Sequence, residues 1–112
     1  MPRLIGLKRA TELLITGDMV SAARAAEIGM INAAVPDNEL MAQAFAIAER
    51  LAQAPTAAIG RIKELLESSA TSDYATQLEL ERKAQIQSGQ TTDFKEGVAA
   101  FLEKRPPKFV GG

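Results

Sequence analysis

Apolar residues between positions 38 and 53 recur with the spacing of one face of an α-helix. The spacing is i, i+4, i+7, i+8 and i+11, which is the period of an amphipathic helix and differs from the alternation of a β-strand. A chain that carries this pattern over four turns favours a helical architecture. The five positions are Leu40, Ala44, Ile47, Ala48 and Leu51.

Similar but shorter patterns predict further helices on both sides of this segment. Gly17, Gly29 and Pro55 end helical runs, while Ser21 and Asp37 are favourable N-caps. Residues 30–34 are predicted to form one short extended piece before Pro36 breaks the chain. We therefore predict a mostly α protein with five or six helices. The predicted helices cover residues 3–15, 22–28, 38–53, 56–68 and 73–87, and a sixth opens near residues 92–93.

Composition limits how large a core these helices can bury. The chain has 112 residues, which suits one compact domain. Apolar residues make up 46% of the sequence, but aromatic residues only 4%, and there is no tryptophan. Much of the apolar content is alanine, which forms helices well and buries little area per residue. We expect close-packed helices with a modest core and some apolar faces that need a partner.

Charge and residue usage exclude several classes of function. The net charge is −1 with acidic and basic residues interleaved, so the sequence predicts neither nucleic-acid nor membrane partners. The absence of cysteine fits a cytoplasmic protein and excludes thiolate chemistry. The absence of histidine removes the commonest general base and metal ligand. No apolar run has the ~20 residues of a membrane helix, and the N-terminus does not resemble a signal peptide.

No motif for catalysis by this chain alone is evident. Fourteen carboxylates are present, but most occupy helix caps or charged faces, as at Glu79 and Glu81. Ser21 is better explained as a cap than as a nucleophile, and there is no nucleophile elbow, P-loop or dinucleotide-binding glycine motif. Asp93 and Glu96 have the spacing of a capping box. Gly60, inside a predicted helix, indicates a close contact. We predict no catalytic residue and no metal ligand.

Residues 21–31 resemble the first helix and turn of a DNA-binding helix-turn-helix. The following helix would then have to read the major groove. It carries Glu39 and Glu49 against a single Arg50, and carboxylates facing phosphates would repel. This interpretation is ranked last.

The C-terminus is locally basic, with four cations partly offset by Glu96 and Glu103. Cations at the C-terminal end of a helix complement the helix dipole, which explains such a cluster without any ligand. The alternative is a phosphate contact. The four cations are Lys95, Lys104, Arg105 and Lys108.

Two stretches, in this order and spacing, resemble the C-terminal part of the enoyl-CoA hydratase/isomerase (crotonase) superfamily. The first is P-R-L-I-G at 2–6, with L-L-I-T-G at 13–17, G-M-I-N at 29–32 and V-P at 35–36. The second is D-F-K-E-G-V-A-A-F-L-E-K-R-P-P-K-F at 93–109, the more specific of the two. The resemblance implies the helical C-terminal segment of a crotonase-like (ClpP/crotonase) fold without its spiral ββα core. Residues 1–36 would pack on that missing core, and residues 37–112 would form a helical oligomerisation region.

The resemblance also implies a function that depends on family segments with no counterpart in this sequence. In the family, backbone amides and glutamates of the core stabilise and protonate an acyl-CoA enolate, and nothing here matches those segments. The chain therefore resembles an inactive C-terminal fragment of an acyl-CoA hydratase or isomerase of fatty-acid metabolism. Its implied partners are the N-terminal core and further copies in a trimer or hexamer. Its implied substrate is a coenzyme A thioester, with no covalently bound cofactor.

One residue role can be carried over from the family pattern. The lysine of the E-K-R run resembles the one that approaches the 3′-phosphate of coenzyme A, and here it is Lys104. The apolar or aromatic position near the adenine falls at Gln85-Ile86, where this sequence departs from the pattern.

A self-associating helical module without enzymatic activity is the second hypothesis, ahead of the helix-turn-helix.

Overall fold

The computed structural model describes residues 1–112 and consists of α-helices joined by turns, with no β-strand. The mostly α prediction is confirmed. The predicted count was too low by at least one, because the first predicted helix is two helices. The seven are α1 (Pro2–Ile5), α2 (Leu7–Thr16), α3 (Ala22–Glu27), α4 (Asp37–Ala52), α5 (Thr56–Ser68), α6 (Tyr74–Gly89) and α7 (Thr92–Leu102).

The chain forms two units, Met1–Gln43 and Ala44–Gly112. The division falls within α4, whereas the predicted regions meet between residues 36 and 37. The roles assigned to residues 1–36 and 37–112 remain predictions.

In the first unit, Gly6 separates α1 from α2. Its backbone has φ 81° and ψ 156°, a conformation that residues other than glycine rarely adopt. The two short helices then pack against each other. Ile5, Ala10 and Ile28 form the buried cluster, with Leu13 and Met30 packed against it. This core is small because alanine supplies part of it.

The predicted N-cap of α3 and the left-handed glycine after it are confirmed, although the helix ends at Glu27, one residue before the predicted end. The Ser21 hydroxyl accepts a hydrogen bond from the Arg24 N–H at 3.2 Å. Gly29 has φ 78°, and the Met30 N–H donates to the Ala25 carbonyl at 2.8 Å. This is the Schellman arrangement, in which a left-handed residue lets the chain turn back and satisfy the last helical carbonyls.

The short strand predicted at residues 30–34 was wrong. The N–H groups of Met30 and Ile31 both donate to the Ala25 carbonyl, at 2.8 and 3.4 Å. Those donors close the end of α3 and are not free for a strand partner, so residues 30–32 form a bend and residues 33–34 have no regular structure.

In the second unit, α5 packs on α6 and α6 on α7. The predicted bounds of α5 are confirmed at Thr56–Ser68. Asp73 caps α6, because its Oδ1 accepts from the Thr76 N–H at 2.7 Å, and this bond lowers the pKa of Asp73. Asp37 was predicted as an N-cap and instead lies in the first turn of α4. The predicted close contact at Gly60 is absent, since a Cβ there would meet no atom within 4 Å.

Large apolar side chains are mostly exposed, whereas buried positions are few. Of residues 44–112, only Asp93 and Ala100 are buried. Every residue of α4 is exposed. The prediction of a modest core with uncovered apolar faces is therefore confirmed. None of the seven helices combines the length and apolar character needed to cross a membrane.

Candidate functional site

The end of α7 places Lys104 in an unusual backbone conformation. Its φ is 54°, and it is the one non-glycine residue of the chain with a positive φ. The Lys104 N–H donates to the Phe101 carbonyl at 3.3 Å and the Arg105 N–H to the Ala100 carbonyl at 3.0 Å. This is a second Schellman arrangement, with lysine at the position that glycine usually takes. A left-handed non-glycine residue costs about 1–2 kcal/mol, so its surroundings must hold it there.

The guanidinium of Arg105, the next residue, is paired with two carboxylates. Its Nη1 and Nη2 donate to the two carboxylate oxygens of Glu96 at 2.6 and 3.0 Å, and its Nε donates to Glu103 at 2.6 Å. A two-pronged guanidinium–carboxylate pair has a fixed geometry and orients both side chains. The pairing raises the pKa of Arg105, with Glu96 the main cause.

The remaining cations of the basic C-terminus are not paired. Lys95, Lys104 and Lys108 are exposed, and their ammonium groups form no ion pair in the structure. Of the four cations that the sequence places together, Arg105 is thus a structural residue and the three lysines are available to a ligand. Lys104 differs from the other two in the left-handed conformation of its backbone.

Glu96 is the central acceptor of this region. Besides Arg105, it accepts the Lys108 N–H at 2.8 Å. The Arg105 hydrogen bonds, followed by the Lys108 N–H, lower the pKa of Glu96 from 4.5 to about 2. The predicted capping box is wrong, because Thr91 caps α7 through its hydroxyl, which accepts the Phe94 N–H at 3.1 Å.

We expect the Glu96 pairing to make stability depend on pH in acid. A carboxyl group whose pKa is lower in the folded state stabilises the fold above its ordinary pKa, and that contribution is lost as the pH falls. The free energy of unfolding should therefore decrease between about pH 4.5 and pH 2. Urea unfolding followed by circular dichroism at a series of pH values measures this decrease.

Glu96→Gln is the control for that measurement. Glu79 also has its pKa lowered to about 2 by Arg82, so acid will weaken the wild-type chain by more than one route. The difference between wild type and variant isolates Glu96. A difference that stays constant from pH 5 to pH 2 would contradict the assignment.

An apolar groove of about 390 Å³ runs beside α7 in the second unit. Its walls are almost entirely carbon, and Phe101 in it is 83% exposed. A Cβ at Gly97 would lie 3.6 Å from the Phe109 ring, so the C-terminal tail forms part of this wall. Such a surface suits an apolar ligand or the side chains of another protein surface. The groove includes Pro55, Ala58, Phe94, Val98, Phe101 and Phe109.

A second groove lies between α5 and α6 and contains polar atoms that sequence reasoning did not single out. Arg61 Nη1 and Gln77 Oε1 are buried there without a hydrogen-bond partner. Gln85 lines the same groove, and Ile86 on α6 is 49% exposed. No local pattern in the sequence marks Arg61 or Gln77, because their burial arises from the packing of two helices.

The other candidates from the sequence have local structural partners. Glu79 accepts two hydrogen bonds from Arg82 at 2.7 Å on the exposed face of α6. Arg24, in the segment that resembles a helix-turn-helix, pairs with Glu27 at 2.7 Å. No group of three or more aspartate, glutamate, histidine or cysteine residues is placed to hold a metal ion.

Comparison with known proteins gives a consistent family match. The family model described as enoyl-CoA hydratase/isomerase matches residues 1–112. The chain is 43% identical over 111 residues to the 1,2-epoxyphenylacetyl-CoA isomerase of Escherichia coli strain K12, covering 99% of this chain and 42% of the relative. It is 38% identical to enoyl-CoA hydratase domain-containing protein 2, mitochondrial, of Mus musculus, covering 99% of this chain and 39% of that protein.

A solved structure agrees with these matches. The crystal structure of enoyl-CoA hydratase from Bacillus anthracis superimposes with a TM-score of 0.92 at 39% identity, over 99% of this chain and 43% of that one. The chain thus spans less than half the length of the relatives it matches.

Proposed function

Since the chain belongs to the enoyl-CoA hydratase/isomerase family, we propose that it is the C-terminal helical part of an acyl-CoA hydratase or isomerase. In this proposal it contributes subunit association and a coenzyme A contact, and it does not catalyse the reaction alone. In this proposal its partner is a spiral core that carries the oxyanion-binding amides and the catalytic glutamates. The proposal also includes a cytoplasmic location.

The observation that carries the proposal is the excess of exposed over buried apolar side chains. Phe45, Phe101 and Leu102 are 60%, 83% and 74% exposed, whereas the buried apolar residues of the chain are three alanines and two isoleucines. So many exposed large apolar side chains beside so few buried ones support faces that another surface covers. In the proposal, the family core and further copies in a trimer or hexamer cover these faces.

A chimera tests this proposal directly. The matched 111 residues of the Escherichia coli isomerase are replaced by this chain, and turnover of that enzyme's acyl-CoA substrate is measured. We expect the chimera to be active, because the core would be supplied by the relative and the helical part by this chain. The relative without its matched segment is the inactive control.

The isolated chain provides the complementary measurement. It should show no hydration of crotonyl-CoA, because no residue in it is proposed to stabilise the enolate. Turnover by the pure chain, or an inactive but folded chimera, would contradict the proposal. The alternative of a non-enzymatic self-associating module predicts association of the chain together with an inactive chimera.

Lys104 is the proposed contact with the 3′-phosphate of coenzyme A. Three observations support it: the ammonium has no partner in the chain, the position is exposed, and the backbone is held in a costly conformation. Strain of this kind is concentrated at sites with a functional constraint. The neighbouring Arg105 is less available to a phosphate, because its guanidinium is already paired with Glu96 and Glu103.

Replacing Lys104 by alanine in the chimera should weaken coenzyme A binding about tenfold, as expected for one charge-assisted contact. Isothermal titration calorimetry with coenzyme A and with 3′-dephospho-coenzyme A distinguishes loss of the phosphate contact from a general loss of binding. The variant should bind the dephosphorylated ligand as the parent does, since the lost interaction is with that phosphate.

Two further substitutions at this position control for backbone effects. Lys104→Arg keeps the charge and should retain binding, whereas Lys104→Gly removes the charge and relieves the left-handed strain. We expect Lys104→Gly to stabilise the chain by about 0.5–1 kcal/mol while weakening coenzyme A binding. Equal losses for both ligands would exclude the phosphate contact.

A further inference from the structure

Two carboxylates on α7 take no part in the proposed function. Asp93 and Glu96 are three residues apart, so they lie on the same face of the helix on successive turns. Both face the C-terminal tail, residues 105–112. Asp93 is 3% exposed and is the only buried charged residue of the chain.

Asp93 binds the far end of the tail. Its Oδ1 accepts the Val110 N–H at 2.7 Å and its Oδ2 accepts the Gly111 N–H at 2.9 Å. The Asp93 N–H also donates to the Gly112 carbonyl at 2.9 Å. A buried carboxylate needs such donors, because an unpaired buried charge is strongly unfavourable.

Glu96 binds the near end of the same tail. It accepts two hydrogen bonds from the Arg105 guanidinium and one from the Lys108 N–H. Contacts from residue 96 to residues 105 and 108, and from residue 93 to residues 110–112, show that the tail runs antiparallel to α7.

The tail is built to lie extended between these two points. Pro106 and Pro107 fix their own φ angles and have no N–H that would need a partner, so ordering them costs less entropy. Gly111 has φ 88°, and a Cβ there would be only 2.6 Å from Thr56 Oγ1. Only glycine therefore fits where the tail passes the start of α5.

We propose that Asp93 and Glu96 form a two-point latch that docks the tail along α7 as one cooperative unit and thereby completes the groove wall that contains Phe109. The latch acts within this chain and does not depend on the proposed enzymatic role. Release at either point frees the whole tail, removes Phe109 from Gly97 and opens the groove beside α7.

Residue-resolved amide hydrogen exchange of the full chain tests the cooperativity. The amides of Lys108, Val110 and Gly111 are followed in wild type, Asp93→Asn and Glu96→Gln, with Glu103→Gln as the control that removes only one contact to Arg105. We expect each latch variant to speed exchange at all three amides about tenfold, including those its own side chain does not touch. Glu103→Gln should leave them nearly unchanged.

Two further measurements distinguish release of the tail from unfolding of the chain: amide exchange within α7 and a variant in the tail. Slow exchange at Val98 and Ala99 would show that the helix stays folded when the tail is free. If Asp93→Asn does not fold, Gly111→Ala disturbs the tail while both carboxylate side chains remain in the sequence, and it should release the same three amides. Release confined to each variant's own partners, or no release, would overturn the latch.

A fluorescent reporter tests the consequence for the groove. The chain has no tryptophan, so Phe109→Trp introduces a single one at the groove wall. Its emission should shift to longer wavelength when Glu96→Gln is added, because the indole would leave the apolar wall for water. Unchanged emission in the double variant would show that Glu96 does not hold the wall.

Discussion

Replacing Asp93 by alanine is expected to lower the free energy of unfolding by about 3 kcal/mol. The carboxylate accepts the N–H groups of Val110 and Gly111 from a position that is 3% exposed. Hydrogen bonds to a charged group contribute about 1.5–3 kcal/mol each, and the tail can recover part of that loss by moving into water. Urea unfolding followed by circular dichroism measures the change.

Asparagine at position 93 is the matched variant for this prediction. It keeps the size of the side chain but has one acceptor and places an NH₂ group toward the second backbone donor. We therefore expect Asp93→Asn to lose nearly as much stability as Asp93→Ala. A loss below about 0.5 kcal/mol in both variants, the range of ordinary surface substitutions, would show that the tail contacts do not stabilise the fold.

Phe101→Asp is expected to abolish association of the chain with itself, without unfolding it. The ring is 83% exposed in the single chain, so its loss should change the free energy of unfolding by less than about 0.5 kcal/mol. In an interface the same ring would be buried, and an aspartate there would leave a charge without a partner. Sedimentation velocity should find a multiple of 12.0 kDa for wild type and a monomer for the variant.

Phe101→Leu controls for the shape and polarity of that surface. It keeps an apolar side chain, so it should weaken association less than Phe101→Asp does. Helical content by circular dichroism should be the same in all three proteins. If wild type is itself a monomer at high concentration, or if Phe101→Asp associates as wild type does, this face is not the association surface.

Local signals in the sequence located most helices, because their causes are local. The apolar period predicted α4, and Ser21 and Gly29 bound α3 as predicted, through a hydroxyl acceptor and a left-handed turn. The bounds of α5 were correct for the same reason. The residues at 2–36 and 93–109 also sufficed to indicate the family.

The candidate site was predictable only in part. The E-K-R run indicated Lys104 as a candidate. Its left-handed backbone conformation was not predicted, since lysine seldom adopts a positive φ. Arg105 was grouped with the free cations, although its donors are taken by Glu96 and Glu103. Which cation of a cluster is free depends on the carboxylates that lie beside it in three dimensions.

Residue types and spacing alone therefore determined the helical class, most helix ends, the modest core and the family, because each depends on a few neighbouring residues. Only the tertiary structure decided what Asp93 and Glu96 do. Their spacing fits a capping box, but Thr91 takes the cap, and Asp93 is buried against N–H groups 17 and 18 residues further along the chain. The burial of a side chain, and its hydrogen bonds to residues so far along the chain, arise only when the chain folds back on itself. No short sequence pattern predicts them.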